Sequence, residues 1–287
     1  MQWYDGQLIE SNSVSFDLSD RGLLLGDGLF ETLPAFNGIP FLLRQHVDRM
    51  VRAAKRTAIN VAAEALETAI LELACADKAA CTIRLTLTRG AGPRGLMPSK
   101  DAKPLIFATR SPWNPRLAFG AATLVTSTIR RNATSPASSM KTLSYLDHVL
   151  AFQEAQSKGA DDALFLSLDE DVACTSMANL FILKGNQLIT PPLDGSILPG
   201  ITRQFVIDHA PSIGLQVIER GLKIDEVLGS DGVFTTNSVR FLTRISALNG
   251  VTINANDPII RRIVEVITAG IRVACDGFEI HPALMPR

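Results

Sequence analysis

Three turn dipeptides, Asp5-Gly6, Asn37-Gly38 and Asn249-Gly250, constrain this chain more than any other feature. Each favours the tight reversal that joins two antiparallel strands, because both central residues must accept positive φ. Their flanks read as strands: Trp3-Tyr4 with Gln7-Leu8-Ile9, Phe30 to Leu33 with Pro40 to Leu43, and Ile245 to Ile253 folding on itself. A fourth reversal is expected at Lys184-Gly185-Asn186, inside the strand pair 179 to 190. Single strands are expected at 81 to 88, 105 to 108, 122 to 129, 163 to 168, 215 to 218 and 233 to 236.

Helical spacing interrupts these strands. Residues 44 to 57 place Val47, Met50, Val51 and Ala54 on one face, and 62 to 76 is rich in Ala, Leu and Glu. Lys141 opens a helix running to about Lys158 and closed by Gly159, and Pro199-Gly200 precedes a helix from Ile201 to about His209. Asp257 caps a last helix with Pro258 first and Ile260, Ile263, Val264, Ile267 and Ile271 inward. Hairpins outnumber βαβ units, so the expectation is an α+β fold in two domains. The two prolines of Ser111-Pro112-Trp113-Asn114-Pro115-Arg116 forbid regular pairing on this reading and mark the boundary. It separates an N-terminal domain (1–112) and a linker (113–118) from a C-terminal domain (119–287).

Composition removes whole classes of function. Lys+Arg 28 against Asp+Glu 29 leaves no net field for nucleic acid or an anionic membrane. No apolar run reaches the ~18 to 20 residues of a membrane span, and the N-terminus lacks the pattern of a signal peptide. Four scattered cysteines without CxxC spacing disfavour a structural zinc or a disulfide scaffold. A soluble protein of the reducing cytoplasm is expected.

Four local features carry chemistry, each with a second, structural reading. Lys141 at a helix start opposes the helix dipole; it is either simply solvated or wanted as a low-pKa amine. Pro199-Gly200-Ile201-Thr202 leaves backbone N–H groups that suit a phosphate, or are merely capped. Thr235-Thr236-Asn237-Ser238 is a hydroxyl-rich strand end, which β-propensity explains equally well. The loop with Arg89 and Arg94 suits a carboxylate, or is a solvated basic loop. Together they form the parts list of a pyridoxal phosphate (PLP) enzyme acting on amino acids.

Several blocks in order resemble the class IV aminotransferases, the fold-type IV PLP family that includes D-amino-acid aminotransferase, branched-chain aminotransferase and 4-amino-4-deoxychorismate lyase. The similarity runs from about Trp3 to Ile245: Asp20-Arg21-Gly22, Leu25 to Thr32, His46-Val47-Asp48-Arg49-Met50, Lys141 to Leu146, Ala178 to Phe181 and Leu198 to Arg203. The resemblance implies a two-domain, D-amino-acid aminotransferase-like α+β fold whose C-terminal domain carries the Schiff-base lysine, Lys141. It further implies that Arg49, the Ile201 and Thr202 amides and Ser238 bind the cofactor phosphate, and that Tyr145 contacts the phenolic oxygen. Thr88 to Gly95 resembles the loop of the lyases and of the D-amino-acid enzymes, which assigns Arg94 to the substrate carboxylate and Phe30 to the pocket wall.

One departure stands out. Where the family places a glutamate against the pyridine nitrogen, five residues before Asn179, this chain has Cys174. A thiol is mostly neutral at pH 7 and a weak hydrogen-bond partner. The nearby Glu170 and Asp171 are expected in a turn, pointing away. The implied activity is amino transfer between an α-amino acid and an α-keto acid, by a homodimer without metal. The alternatives are release of pyruvate and 4-aminobenzoate from aminodeoxychorismate, or a PLP-binding paralogue slowed by Cys174.

Overall fold

A computed structural model describes residues 1–11 and 13–280. Its contacts divide the chain into two compact units. One joins Met1–Trp113 with Met140–Ser144 and Ile271–Phe278; the other is built on Asn114–Ser139 and Tyr145–Gly270.

The first unit contains β1 (Gln2–Tyr4), β2 (Gln7–Ile9), α1 (Arg21–Leu25), β3 (Gly28–Phe36), β4 (Ile39–Pro40), α2 (Leu43–Arg56), α3 (Ala63–Cys75), β5 (Cys81–Thr88) and β6 (Leu105–Pro112). The strands form one antiparallel sheet in the order β2-β1-β6-β5-β3-β4. Both expected turns form with positive φ, Asp5 and Gly6 at 46° and 91°, Asn37 and Gly38 at 53° and 81°. The second hairpin is shorter than its apolar run suggested. Leu42 takes a left-handed φ of 56°, and the chain enters α2 at Leu43 instead of extending β4. Leu29 and Leu33 of β3 and Ile83, Leu85 and Leu87 of β5 meet Val47 and Met50 of α2 and Leu66, Ile70 and Leu73 of α3 in one core. β6 runs through Pro112, which pairs with Cys81; at a strand's last residue the missing N–H is tolerated.

The segment Met140–Ser144 belongs to this first unit, in contrast to the sequence expectation of Lys141 in the 119–287 domain at a helix start. The backbone explains the difference. Phe30 N donates to Lys141 O at 2.9 Å and Leu143 N to Gly28 O at 3.0 Å, so residues 141–143 lie along β3 through a single antiparallel bridge, Leu29 to Thr142. The helix begins only at Leu146, with Tyr145 as its N-cap residue.

The second unit contains β7 (Ala121–Arg131), α4 (Leu146–Ser157), β8 (Asp162–Ser167), β9 (Val172–Thr175), β10 (Asn179–Lys184), β11 (Gln187–Thr190), α5 (Ile201–His209), β12 (Gln216–Glu219), α6 (Ile224–Leu228), β13 (Gly232–Asn237), β14 (Phe241–Leu248) and β15 (Val251–Thr252). Its strands follow the order β12-β11-β10-β13-β14-β7-β8-β9, and β9 pairs back onto β10 through Cys174 and Asn179. The six strands from β10 to β9 therefore close into a ring, filled by Leu164, Leu180, Ile182, Val233, Ile245 and their neighbours. The last helix, α7 (Pro258–Ala274), starts as expected, with Ile259 N donating to Asp257 Oδ1 at 2.7 Å, and buries Ile260, Ile263, Val264, Ile267 and Ile271.

Candidate active site

In the first unit, alternation along β3 sends Phe30 and Thr32 to one face and Leu29, Glu31 and Leu33 to the other, where the helical core lies. Glu31 is thus a carboxylate in a buried strand. Arg49 of α2 meets it side-on, Nε to Oε1 and Nη2 to Oε2, both at 2.7 Å. His46, one turn earlier on α2, lies with Nδ1 2.8 Å from Oε2; an ionised carboxylate only accepts, so the ring nitrogen donates. All three residues are buried. Burial alone would raise the Glu31 carboxyl, but the Arg49 charge and the His46 hydrogen bond overcome it and hold the group far below the usual carboxylate range. Burial also lowers His46, against the pull of Glu31, which keeps the imidazole neutral.

Lys141 lies beside this cluster. Its Nζ sits 4.3 Å from the centre of the Phe30 ring, and the Arg84 guanidinium carbon lies 3.8 Å from the same ring. Desolvation first, then the charges of Arg49 and Arg84, bring the amine down to about 8, with Glu31 opposing them. Roughly a tenth of such an amine is neutral at pH 7, several hundred-fold more than for an ordinary lysine. Lys141, Phe30 and Arg49, singled out separately in the sequence, are brought together. Arg84 and Glu31 were missed as functional residues. The available signal was a charge inside a strand otherwise made of apolar and Thr residues, in Gly28–Phe36 and Cys81–Thr88.

The basic loop divides its arginines between two tasks. Arg89 is structural: it binds Asp27 through Nε and Nη2 at 2.7 and 3.0 Å and the carbonyls of Thr57 and Ala58 at 2.7 and 2.9 Å. Arg21 reaches the carbonyls of Gly95 and Leu96, both at 2.8 Å, and ties the loop to α1. Arg94 is exposed, with no side-chain hydrogen bond among the described residues.

In the second unit, the pairing Phe165–Cys174–Asn179–Thr236 runs across neighbouring strands, so these side chains share a face. Asn179 Nδ2 donates to Leu198 O at 3.0 Å and lies against Gly200, the N-cap residue of α5, where any Cβ would collide with Asn179 Oδ1. Ile201 and Thr202 form the first turn of α5, whose backbone amides point out of the helix end. Thr236, 2% exposed, has a buried Oγ1 with no protein partner. Ser238 lies in the turn after β13, where Asn237 Oδ1 accepts from the amides of Val239 and Arg240 at 3.1 and 2.8 Å. Tyr145 stacks on His148, ring centres 4.0 Å apart and nearly coplanar at 8°.

Cys174 is buried, and desolvation pushes its thiol up to about 11. Glu170 and Asp171 do face away, paired with Arg130 at 2.7 Å and Lys223 at 2.9 Å. The nearest acid in this network is Asp162, hydrogen-bonded by Ser176 Oγ and, at 2.7 Å, by the Ala163 amide; burial raises its carboxyl.

Comparison with known proteins decides what this residue set belongs to. The sequence model described as "Amino-transferase class IV" matches residues 28–248. The chain belongs to the class IV aminotransferase family. It is 33% identical over 258 residues to a putative branched-chain-amino-acid aminotransferase of Methanocaldococcus jannaschii, covering 88% of this chain and 89% of that protein. It is 31% identical over 245 residues to an aminodeoxychorismate lyase of Bacillus subtilis, covering 83% of each. The crystal structure of a putative 4-amino-4-deoxychorismate lyase from Legionella pneumophila superposes with a TM-score of 0.84 at 29% identity, over 91% of this chain and 97% of that one. The fold is therefore fold-type IV, and class IV aminotransferases depend on PLP. The residues fit that cofactor: a desolvated lysine amine suits its aldehyde, and the orphaned Thr236 hydroxyl and the free amides of α5 suit a phosphate. No helix among the described residues is long and apolar enough to cross a membrane.

Proposed function

We propose that this class IV aminotransferase moves an amino group between an α-amino acid and an α-keto acid. The observation that carries this reading is the Lys141 amine, brought down to about 8 over the Phe30 ring. When bound, PLP supplies the electron sink that makes the substrate Cα proton removable. Lys141 would hold the cofactor through its aldehyde, and its amine would take and return that proton as general base and acid. Arg49, the Ile201 and Thr202 amides and Ser238 are the groups that would hold the phosphate, with the unpartnered Thr236 hydroxyl as a further candidate. Tyr145 would donate to the phenolic oxygen. Cys174 would meet the pyridine nitrogen with a neutral thiol. Arg94 binds the substrate carboxylate against Phe30.

The test is to incubate the holoenzyme with D- and L-amino acids and 2-oxoglutarate and to follow new amino acids chromatographically. The lyase reading is favoured by the loop held through Arg21 and by the Bacillus subtilis relative. If no amino acid forms while aminodeoxychorismate releases pyruvate, transamination is the wrong assignment. A homodimer is part of the proposal: Leu23, Leu24, Leu96 and Met97 are 57%, 57%, 85% and 83% exposed on α1 and the loop tied to it. A monomer mass in sedimentation equilibrium overturns that part. A cytoplasmic location accords with four free cysteines.

A further inference from the structure

Two cations, Arg49 and Arg84, act on the Lys141 amine from α2 and β5. Left unopposed, they would repel both a protonated lysine and any cation formed on its nitrogen. The acid that answers them is Glu31, one residue from Phe30 but on the opposite face of β3. Its two oxygens take Arg49 Nε and Nη2 at 2.7 Å, which fixes the plane of the guanidinium and turns its remaining N–H groups away from the carboxylate. His46 donates to the same carboxylate at 2.8 Å and is neutral, so it steadies the acid without adding charge.

We propose that Glu31 is a positioning residue for the reaction, clamping the Arg49 fork and supplying the counter-charge that sets the electrostatic environment of the Lys141 amine. Glu31 reaches its effect through Arg49 and through space, and needs no contact with substrate. The groups that act on Lys141 are Arg49, Arg84 and Glu31, with His46 neutral between them. The proposal rests on Lys141 being the reactive amine.

The experiment is reductive methylation of the full-length, cofactor-free chain with formaldehyde and cyanoborohydride between pH 6 and 10. Modification of the peptide bearing Lys141 is read by mass spectrometry. Wild type is expected to titrate near the value of about 8. Glu31→Gln moves the midpoint down by about one pH unit, the low end of what a nearby opposite charge contributes. Glu31→Asp, which keeps the charge, stays near wild type. A purely structural role would lower the yield of folded protein without moving the midpoint. An unchanged or raised midpoint in folded Glu31→Gln overturns the proposal. If Glu31→Gln does not fold, the double variant E31Q/R49Q, with two neutral amides in place of the ion pair, decides. Its midpoint lies at or slightly above wild type if the charges oppose one another at the amine, and a lower midpoint overturns the idea. No amino or keto acid is present, so a failure of transamination refutes the functional reading and leaves this outcome standing.

Discussion

Each unit of this protein buries a carboxylate and a guanidinium, and the two solve the cost differently. In the first, Glu31 and Arg49 meet directly, with His46 as a third donor. In the second, Asp162 is held by Ser176 Oγ and the Ala163 amide, while Arg131 donates to Ser196 O at 3.1 Å, Ser138 O at 2.7 Å and His148 Nε2 at 3.1 Å. Among the described residues neither Asp162 nor Arg131 has an ion-pair partner. The contrast shows in the protonation. The paired Glu31 is held far into its ionised range, whereas burial raises Asp162 and sends the nearby Cys174 thiol up to about 11. A buried charge with a counter-ion stays charged; a titratable one among neutral dipoles drifts toward its neutral form. The first arrangement suits a group that must feel a field, the second one that must only be held in place. His148 illustrates the latter: Nδ1 donates to Ser176 O at 2.6 Å and Nε2 accepts from Arg131, so one neutral tautomer is fixed beneath Tyr145.

The sharpest break in this comparison comes from the amine itself. Lys141→Ala is expected to cut turnover by at least ~10²- to 10⁴-fold, the usual contribution of a positioned acid–base group. After PLP treatment and borohydride reduction, the label should vanish from that peptide. A label that persists there, or turnover that survives, removes Lys141 from its role.

Stability comes next. Glu31→Gln takes the counter-charge from the buried Arg49 and should cost ~3–5 kcal/mol in urea denaturation. Asp162→Asn keeps an oxygen for Ser176 Oγ and should cost no more than ~1 kcal/mol. Equal losses would erase the distinction between the two regions. The pH dependence carries opposite signs. Glu31 lies below its ordinary 4.5, so its stabilisation is present above that value and is lost as pH falls. Asp162 lies above its ordinary 3.8, so the folded state holds the extra proton and loses stability as pH rises through the folded value. Acid unfolding should therefore be shallower in Glu31→Gln and steeper in Asp162→Asn.

The smallest effect concerns Cys174. Cys174→Glu introduces an anion near the unpaired Arg131 and should speed the half-reaction, tenfold for each ~1.4 kcal/mol regained. A rate left unchanged would mean that another group already serves the pyridine nitrogen. In wild type, Ellman's reagent at pH 8 should modify exposed Cys75 while Cys174 resists until the protein unfolds.

Local chemistry made much of this protein legible without coordinates. Positive φ is cheap for Asn-Gly and Asp-Gly, so the turns at 5–6, 37–38 and 249–250 followed from residue type. Periodicity and capping likewise placed α2, α3 and α5 within a residue or so of where they lie, and the start of α7. The order of the motif blocks was enough to name the family. Long-range pairing was another matter. Whether residues 141–143 continue a helix or run beside β3 depends on which backbone groups of Gly28 and Phe30 are left unpaired, and no local propensity records that. The same holds for Glu31 and Arg49, eighteen residues apart in sequence, and for Arg131 and His148, seventeen apart. Their charges were plain in the sequence; which of them meet a counter-ion, and so what each ionisable group does at neutral pH, is set by tertiary contact, because burial and distance alone fix the cost of holding a charge.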